Sequence, residues 1–238
     1  MWDNAPMPLL DSIRVLGAMA RVTAPTLLDA VRGDLQRGAI DERTHWFARR
    51  VIELLDVKLT VTGAARVPTG RAYVYMSNHQ SHLDIPMLYA ALPSPTIRML
   101  AKKELFDIPL WGRGLRAAEF VEVDRGNHAR ARDSIAHATR LVRDGVSIYL
   151  APEGTRSRDG QVGTLKKGGF HLALATGAPI VPVAISGTIA ILPRDHLAMR
   201  RGQPVEVTIG APIPVEGRDL DSLVAEVQEF LVNHVQRR

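Results

Sequence analysis

The 238-residue sequence contains no cysteine. Disulfide bonds, cysteine metal sites and a cysteine nucleophile are therefore excluded. Aromatic residues make up only 5% of the chain, which is poor for the base-stacking surfaces that bind single-stranded nucleic acid. The formal net charge of +5 favours an anionic partner. Because the basic residues do not gather into one stripe with aromatic residues, we expect no nucleic acid as partner.

The sequence also lacks an unbroken apolar run of transmembrane length. Its longest stretch without formal charge is 172–193, which contains Gly177, Pro179, Pro182 and Gly187. These breakers, with valine and isoleucine clustered in the middle, predict a helix end, a turn and a buried strand. The N-terminus has no basic region of the kind that opens a signal peptide.

Residues 1–40 are predicted to form a separate N-terminal helical segment. Apolar residues recur there at helical spacing, and Pro25 predicts a break between two short helices. The apolar positions are Leu9, Leu10, Ile13, Leu16, Met19, Leu27, Leu28, Val31 and Leu35. Two interpretations remain open: the helices pack on the core, or they form a membrane-surface hairpin, since arginines flank the apolar stripes.

Residues 41–238 alternate between strand patterns and helical patterns. The strand patterns are KLTVTG, AYVYM, TIRML, EFVEV, VSIYLA, IVPVAI and VEVTIG. Helical patterns occur between them, one of them near residues 128–143, and a last helix is expected from about residue 219. This alternation predicts an α/β domain with a mixed, largely parallel sheet flanked by helices.

The stretch MSNHQSHLD, residues 76–84, lies between the strand AYVYM and an apolar helical pattern. In one interpretation, Ser81 caps the helix and Asp84 completes a variant capping box. In the other, His79 in the strand-to-helix loop is a general base, and the Asp84 carboxylate fixes the tautomer of its imidazole.

The spacing alone does not decide between these interpretations, because a second His-x4-Asp pair occurs at His128 and Asp133. That pair lies within a predicted helix, where five residues turn two side chains about 140° apart, and we assign it to the surface. His79 instead follows a strand, and open α/β sheets bind ligands at the carboxyl ends of their strands. Its position favours the functional interpretation.

Charged residues and a glycine follow three further strands. The residues at these strand ends are Lys102, Arg125, Glu153, Gly154, Thr155 and Arg156. A glycine permits close approach of the backbone to a ligand, and an arginine can bind phosphate through two hydrogen bonds. The plainer interpretations are a solvated helix start, an exposed strand end and a polar turn with a surface ion pair. No HExxH motif or ligand-spaced cluster occurs, so no metal is expected.

In their order along the chain, these motifs resemble the glycerolipid acyltransferases, the family of 1-acyl-sn-glycerol-3-phosphate acyltransferase, also called lysophosphatidic acid acyltransferase. The matching stretches are NHQSHLD, FVEVDR, APEGTRS and IVPVAI, and AKKEL matches a further family segment. The resemblance covers about residues 45–215. The chain departs from the family pattern at Ala151, where phenylalanine is common, and in lacking the clear transmembrane segment of many relatives.

The resemblance implies transfer of a fatty acyl group from a thioester, acyl-CoA or acyl-carrier protein, to the free sn-2 hydroxyl of 1-acyl-glycerol-3-phosphate. The product would be phosphatidic acid, an intermediate of phospholipid biosynthesis. The pair His79 and Asp84 would be catalytic. The implied substrate-binding residues are Lys102, Arg125, Glu153, Gly154, Thr155 and Arg156, with the three cations on the acceptor phosphate. No cofactor is implied beyond the thioester, and we expect a peripheral location on the cytoplasmic face of a membrane.

Two alternatives stay open at this stage. The acceptor could be glycerol-3-phosphate or another lysolipid such as a lyso-ornithine lipid, because the motifs do not separate these acceptors. The chain could also be a catalytically silent lipid-binding module on the same fold. The intact pair of His79 and Asp84 argues against the silent module.

Overall fold

A computed structural model of the chain describes residues 10–124 and 128–236, without the side chains of 128–131. The strands in these residues are β1 (Lys58–Thr62), β2 (Val74–Ser77), β3 (Ile97–Lys102), β4 (Val121–Val123), β5 (Ser147–Leu150), β6 (Ile180–Ser186) and β7 (Pro204–Ile209). They form one sheet in the order β1-β7-β6-β2-β5-β3-β4. Every neighbouring pair is parallel except β6 with β7. The expected mixed, largely parallel sheet is confirmed.

Helices cover both faces of this sheet. Those in the described residues are α1 (Leu10–Arg32), α2 (Arg37–Leu54), α3 (Asp84–Ala91), α4 (Lys103–Phe106), α5 (Trp111–Ala117), α6 (His128–Arg143), α7 (Gly168–Thr176), α8 (Thr188–Ile191) and α9 (Leu220–His234). One apolar core lies under α2, α3 and α8, and a second lies under α6, α7 and α9.

The residues of β2 show how one strand serves both cores. Tyr75 packs in the core under α2 and α3, whereas Val74 and Met76 pack in the core under α6, α7 and α9. Side chains alternate between the two faces along a strand, so a strand covered on both faces is apolar at every position. This is why AYVYM is a continuous apolar run, and it places the carboxyl end of β2 in the middle of the molecule.

The predicted break at Pro25 is wrong. The structure has a single 23-residue helix, α1, with Pro25 inside it. Proline weakens a helix locally because it removes one N–H and its ring crowds the preceding turn. Here α1 packs along α2 and α5, and such packing contributes more to helix stability than local propensity does.

The chain reverses direction at Gly33, eight residues after the expected break. Gly33 adopts a left-handed conformation, with φ of +77°. Its N–H donates to the Ala30 carbonyl, and the Asp34 N–H donates to the Asp29 carbonyl. These two bonds form a Schellman motif, which ends α1. The helix α2 then crosses the predicted boundary at residue 40 and carries the chain into the core.

The uncharged run 172–193 has the structure that its breakers predict. It contains the end of α7, a turn at Gly177 with φ of +69°, the fully buried strand β6 and the short helix α8. Among the described residues, no helix combines the length and apolar character needed to cross a bilayer.

Candidate active site

Four strand ends meet at one edge of the sheet. The strand β2 is parallel to both of its neighbours, β5 and β6, and β3 is parallel to β5. The segments that follow these strands therefore leave the sheet on the same side. They include His79 after β2, Lys102 at the end of β3, Arg156 after β5 and Thr188 after β6.

His79 and Asp84 are in direct contact at this edge. His79 Nδ1 lies 2.7 Å from Asp84 Oδ2. The Asp84 side chain is completely buried, and 21% of the His79 side chain is exposed. A carboxylate only accepts hydrogen bonds, so Nδ1 carries the proton and the lone pair of the neutral imidazole lies on Nε2. Nε2 in this state can accept a proton from a substrate hydroxyl.

Three further donors fix the Asp84 carboxylate. Its Oδ2 also accepts from the backbone N–H groups of Gln80, at 2.7 Å, and Ser81, at 3.0 Å. Its Oδ1 accepts from the hydroxyl of Thr188 at the end of β6. With both oxygens held, the carboxylate cannot rotate away from the imidazole. Asp84 therefore sets the position and tautomer of His79.

The hydrogen bonds expected from the capping interpretation are present, but the N-cap position is Leu83 and not Ser81, and the Leu83 side chain makes no capping bond. The Asp84 carboxylate accepts from the Ser81 N–H, and Ser81 Oγ accepts from the Leu83 N–H at 3.2 Å. The α3 helix begins directly after, at Asp84. The two interpretations are thus compatible, because the carboxylate that orients His79 also satisfies the helix start. In the second His-x4-Asp pair, Asp133 is exposed on α6, and the His128 side chain lies outside the described residues.

Glu153 supports the His79 backbone from the neighbouring strand β5. Its Oε1 accepts from the His79 N–H and its Oε2 accepts from the Gly163 N–H, both at 2.8 Å. The residue is 5% exposed, and burial raises the pKa of its carboxyl above the ordinary value, although the two N–H donors oppose this shift. These contacts give Glu153 a positioning role for the His79 loop.

The rest of APEGTRS forms the start of the loop that follows β5. Gly154 has φ of +72°, a conformation that favours glycine, and its N–H donates to the Ala151 carbonyl. Thr155 is exposed and Arg156 is half-buried. Arg156 Nη1 donates to the Arg194 carbonyl at 2.9 Å. The Ser157 N–H donates to the His79 carbonyl at 2.7 Å, which brings this loop against the catalytic stretch.

The other two predicted phosphate ligands are Lys102 and Arg125. Lys102 is exposed at the end of β3, where it is in register with Val123 of β4. Since β5 lies between β2 and β3, Lys102 is two strands from His79. Arg125 lies outside the described residues. Within the described residues, no group of three or more histidine or carboxylate side chains is arranged to hold a metal ion.

Comparison with known proteins gives this site a family. The family model described as Acyltransferase matches residues 58–186. The 1-acyl-sn-glycerol-3-phosphate acyltransferase of Limnanthes douglasii is 32% identical over 201 residues, which cover 80% of this chain and 68% of the plant protein. The chain belongs to the acyltransferase family. The matched region contains His79, Asp84, Glu153 and Arg156.

Two further proteins support the assignment of this chain to the acyltransferase family. The human 1-acyl-sn-glycerol-3-phosphate acyltransferase alpha is 31% identical over 173 residues, covering 72% of this chain and 60% of the human protein. The crystal structure of the 1-acyl-sn-glycerophosphate acyltransferase PlsC from Thermotoga maritima superposes with a TM-score of 0.80 at 26% identity. That match covers 96% of this chain and 94% of the other.

The sequence patterns missed three side chains that hold the site together in this acyltransferase. Besides Thr188, they are Asn78 and Gln80. Asn78 exchanges two hydrogen bonds of 2.8 Å with the backbone of Ile185. Gln80 donates to the Gly160 carbonyl and accepts from the Gly187 N–H. Their signal in the sequence is weak, because each partner lies 80 or more residues away.

His82 also lies within the site. Its pKa is lowered below the ordinary value, first by partial burial and then by the nearby Arg156 cation and His79. The neutral form is therefore favoured at neutral pH. Because of these neighbours, His82 is a poor control for substitutions of His79, and the exposed His171 on α7 is a better one.

Proposed function

We propose that this acyltransferase transfers a fatty acyl group from a thioester to the sn-2 hydroxyl of 1-acyl-glycerol-3-phosphate, forming phosphatidic acid. The observation that carries the proposal is the 2.7 Å contact between His79 and the buried Asp84 at the carboxyl end of β2. The names of the plant and human relatives and of the Thermotoga enzyme support lysophosphatidic acid as the acceptor.

In the proposed mechanism the acceptor hydroxyl is itself the nucleophile. His79 Nε2 takes the hydroxyl proton as the oxygen attacks the thioester carbonyl carbon, and the carbonyl electron pair moves onto oxygen. When the carbonyl re-forms, the C–S bond breaks and the leaving thiolate takes the proton from the imidazolium. Asp84 stabilises that imidazolium by accepting from Nδ1. A positioned base of this kind contributes on the order of 10²–10⁴-fold to the rate.

The acceptor phosphate is proposed to bind to the cations of the same edge, Lys102, Arg125 and Arg156. An arginine can form two parallel hydrogen bonds to a phosphate. Glu153 and Gly154, which precede Arg156 in the same loop, are proposed to shape the glycerol site, and Thr155 between them and Arg156 is proposed to contact substrate. The reaction as written needs acyl-CoA or acyl-carrier protein as co-substrate and no metal or further cofactor.

Substitution of His79 tests the proposal. We expect His79→Ala to fold, because the buried Asp84 carboxylate keeps its three other donors, and to lose about 10²-fold or more in thiol release. Thiol release from acyl-CoA with 1-acyl-glycerol-3-phosphate is the measurement, and His171→Ala is the matched control. Turnover of His79→Ala within a few-fold of the wild type would refute the base assignment.

The same assay separates the alternatives. Replacing the acceptor with glycerol-3-phosphate or a lyso-ornithine lipid tests the neighbouring acceptors directly, and acyl-carrier protein in place of CoA tests the donor. A wild-type chain that binds lysolipid but releases no thiol with any acceptor and either donor would be a silent lipid-binding module. The proposed reaction requires the highest kcat/KM with 1-acyl-glycerol-3-phosphate.

We also propose that the protein docks on a membrane surface on the cytoplasmic side. The predicted apolar stripe of α1 faces away from the core: Leu10, Ile13 and Leu16 are exposed, while Val15 and Ala18 are buried. This exposed face is called the α1 stripe below. An exposed apolar helix face beside basic residues suits the interface of an anionic bilayer.

The charges around the α1 stripe are basic. Arg21 and Arg32 are exposed, and the acidic residues of α1 are compensated. Asp11 is buried beside Arg14, and Asp29 is paired with Arg43 at 2.5 Å. The surface thus combines apolar side chains with positive charge, which suits anionic lipid headgroups.

A second exposed apolar segment follows β3, next to the site. Leu105, Ile108 and Leu110 are exposed there, and Leu110 has φ of +64°, a strained conformation for a branched residue. Lys102 precedes this segment, and α5 after it contacts α1. We propose that this segment contacts lipid together with the α1 stripe.

A further inference from the structure

The loop after β5 crosses the carboxyl end of β2 and reaches the segment after β6. Ser157 N–H donates to the His79 carbonyl, and Gln80 bonds to Gly160 of this loop and to Gly187 after β6. This loop therefore starts next to β5 and reaches the β6 side of His79. Arg156 is a cation carried by this part of the loop.

Arg156 meets a second arginine there. Arg156 Nη1 donates to the Arg194 carbonyl at 2.9 Å, and Arg194 Nη1 donates to the Arg156 carbonyl at 3.2 Å. The two residues are 38 positions apart in the sequence. Each guanidinium is therefore fixed against the backbone of the other residue, so the two arginines are held as a neighbouring pair.

This pair of arginines is attached to the catalytic stretch. Two residues before Arg194, the Leu192 carbonyl accepts from Ser81 Oγ at 2.8 Å. The helix α8 before it begins at Thr188, whose hydroxyl donates to Asp84. The depressed pKa of His82, due in part to Arg156 and His79, agrees with an Arg156 guanidinium close to these imidazoles.

Little negative charge balances the two guanidinium groups. Asp195 Oδ1 lies 3.9 Å from Arg194 Nε, and the Asp195 side chain is 79% exposed, where an ion pair contributes little. Each Nη1 contact described above uses one N–H, and a guanidinium carries five. The remaining donors suit a phosphate group, which matches the planar fork of arginine.

We propose that Arg194 forms, with Arg156, a phosphate-binding site on the β6 side of His79. The inference rests on the proposed function, because both substrates of that reaction carry phosphate: the acceptor as a phosphomonoester and the donor in its CoA or phosphopantetheine portion. Arg194 is then a specificity-determining residue for a phosphorylated substrate.

Arg194→Gln tests this assignment with little disturbance of the fold. The variant removes the positive charge, the fork and the bond to the Arg156 carbonyl, while the Arg194 backbone carbonyl that holds Arg156 is unchanged. Arg194→Lys restores the charge, and Arg218→Gln is the matched control. Arg218 pairs with Glu226 on the surface and lies near the amino-terminal end of β6, where Ile180 pairs with Ile213.

The measurements are the KM for each substrate and, without turnover, the affinity of each variant for 1-acyl-glycerol-3-phosphate and for CoA. We expect Arg194→Gln to weaken one of the two ligands about tenfold or more, with Arg194→Lys between it and the wild type. Weakened acceptor binding, absent with unphosphorylated 1-acylglycerol, assigns the site to the acceptor. Weakened CoA binding assigns it to the donor.

Unchanged KM and affinity for both ligands in Arg194→Gln would overturn the inference. The same conclusion follows if only kcat or the melting temperature falls, since Arg194 would then merely brace the loop. A wild-type chain that binds these ligands but releases no thiol would refute the proposed reaction, and the affinity comparison would still test Arg194.

Discussion

Glu153 illustrates how a carboxylate near the proposed base, His79, acts through the backbone. Both of its oxygens accept backbone N–H groups, one of them from His79 itself. The residue therefore holds the main chain of the catalytic loop, while Asp84 holds the imidazole. The family resemblance places Glu153 in the substrate site, and the geometry adds a reason for a glutamate there that does not depend on substrate.

Glu153→Gln should destabilise the protein and lower kcat. The glutamine amide places an N–H group against one of the two backbone N–H donors, and the lost hydrogen bond costs about 1–3 kcal/mol of unfolding free energy. Displacement of the His79 loop should reduce kcat while the acceptor KM stays nearly constant. Urea unfolding and thiol release measure the two effects, with the exposed Glu229→Gln as control.

The difference in unfolding free energy between the wild type and Glu153→Gln should change with pH in a defined direction. Burial raises the pKa of Glu153 above 4.5 in the folded chain, so the folded state binds the proton more tightly than the unfolded state does. The stability contributed by this carboxyl then falls as pH rises through 4.5 and the folded pKa. The stability difference between wild type and Glu153→Gln should therefore narrow from pH 4 to pH 7. A stability difference that widens between pH 4 and pH 7 would contradict the raised pKa of Glu153.

At the site, the sequence predicts the groups that are close along the chain. His79 and Asp84 are five positions apart, and their helix-capping geometry can be read directly from the spacing. Thr188 and Arg194 are held by contacts with residues 104 and 38 positions away. Such contacts depend on strand order, which local periodicity does not encode. The sequence therefore predicts the contact of His79 with Asp84 but not the side chains that fix it.

At the scale of elements, a buried charge network attaches α2 to the sheet. Arg98 of β3 is fully buried, and its Nη1 donates to Asp41 of α2 at 2.6 Å. Asp41 also accepts from Thr96 at 2.7 Å, and Glu119 lies 3.5 Å from Arg98 Nη2. Among the residues that the structure describes, none forms a hydrogen bond with Nε or Nη2 of Arg98. This network therefore depends on its few carboxylates.

Asp41→Ala should destabilise the protein by about 3–5 kcal/mol, because it leaves a buried guanidinium without its main partner. The double variant Asp41→Leu with Arg98→Met should cost less than Asp41→Ala alone, since it removes both buried charges. Urea unfolding is the measurement. The control Asp34→Ala changes an exposed carboxylate and should stay within about 0.5 kcal/mol of wild type. Equal destabilisation by Asp34→Ala and Asp41→Ala would show that the network contributes nothing specific.

The N-terminal segment shows where element prediction from sequence stops. The helical spacing of its apolar residues is correct, but the break lies at Gly33 and not at Pro25. Proline is a strong local signal, yet the packing of α1 on α2 and α5 outweighs it. The spacing also does not indicate which side of the helix is buried: Val15 and Ala18 face the core, and the more regular stripe of larger residues faces outward.

At the scale of the whole molecule, alternating strand and helix patterns correctly predict the fold class. A parallel sheet covered by helices needs strands that are apolar on both faces, and β2, β5 and β6 show this in sequence. The sequence patterns do not predict the strand order or the antiparallel pairing of β6 with β7. They depend on the connection from β6 to β7, whose direction has no periodic signal.

The proposed membrane docking depends on the assembled surface and is tested there. Aspartate at Ile13 or Leu16 should reduce co-sedimentation with vesicles of phosphatidylglycerol and phosphatidylcholine by about tenfold each, because each removes a large apolar side chain from the bilayer contact. The fold should be unaffected, since both residues are exposed. Val232→Asp is the matched control, an exposed apolar residue on α9. If the Ile13 and Leu16 variants co-sediment as well as Val232→Asp does, the α1 stripe does not contact the bilayer.

The bond from Thr188 to Asp84 has a consequence for the newly made chain. The two residues are 104 positions apart, and Asn78 likewise pairs with Ile185 across 107 positions. A nascent polypeptide that ends before residue 180 carries His79 and Asp84 without β6 and Thr188. In such a chain Asp84 Oδ1 lacks the hydroxyl that fixes it, and the full set of hydrogen bonds on this carboxylate forms only after β6 has joined the sheet.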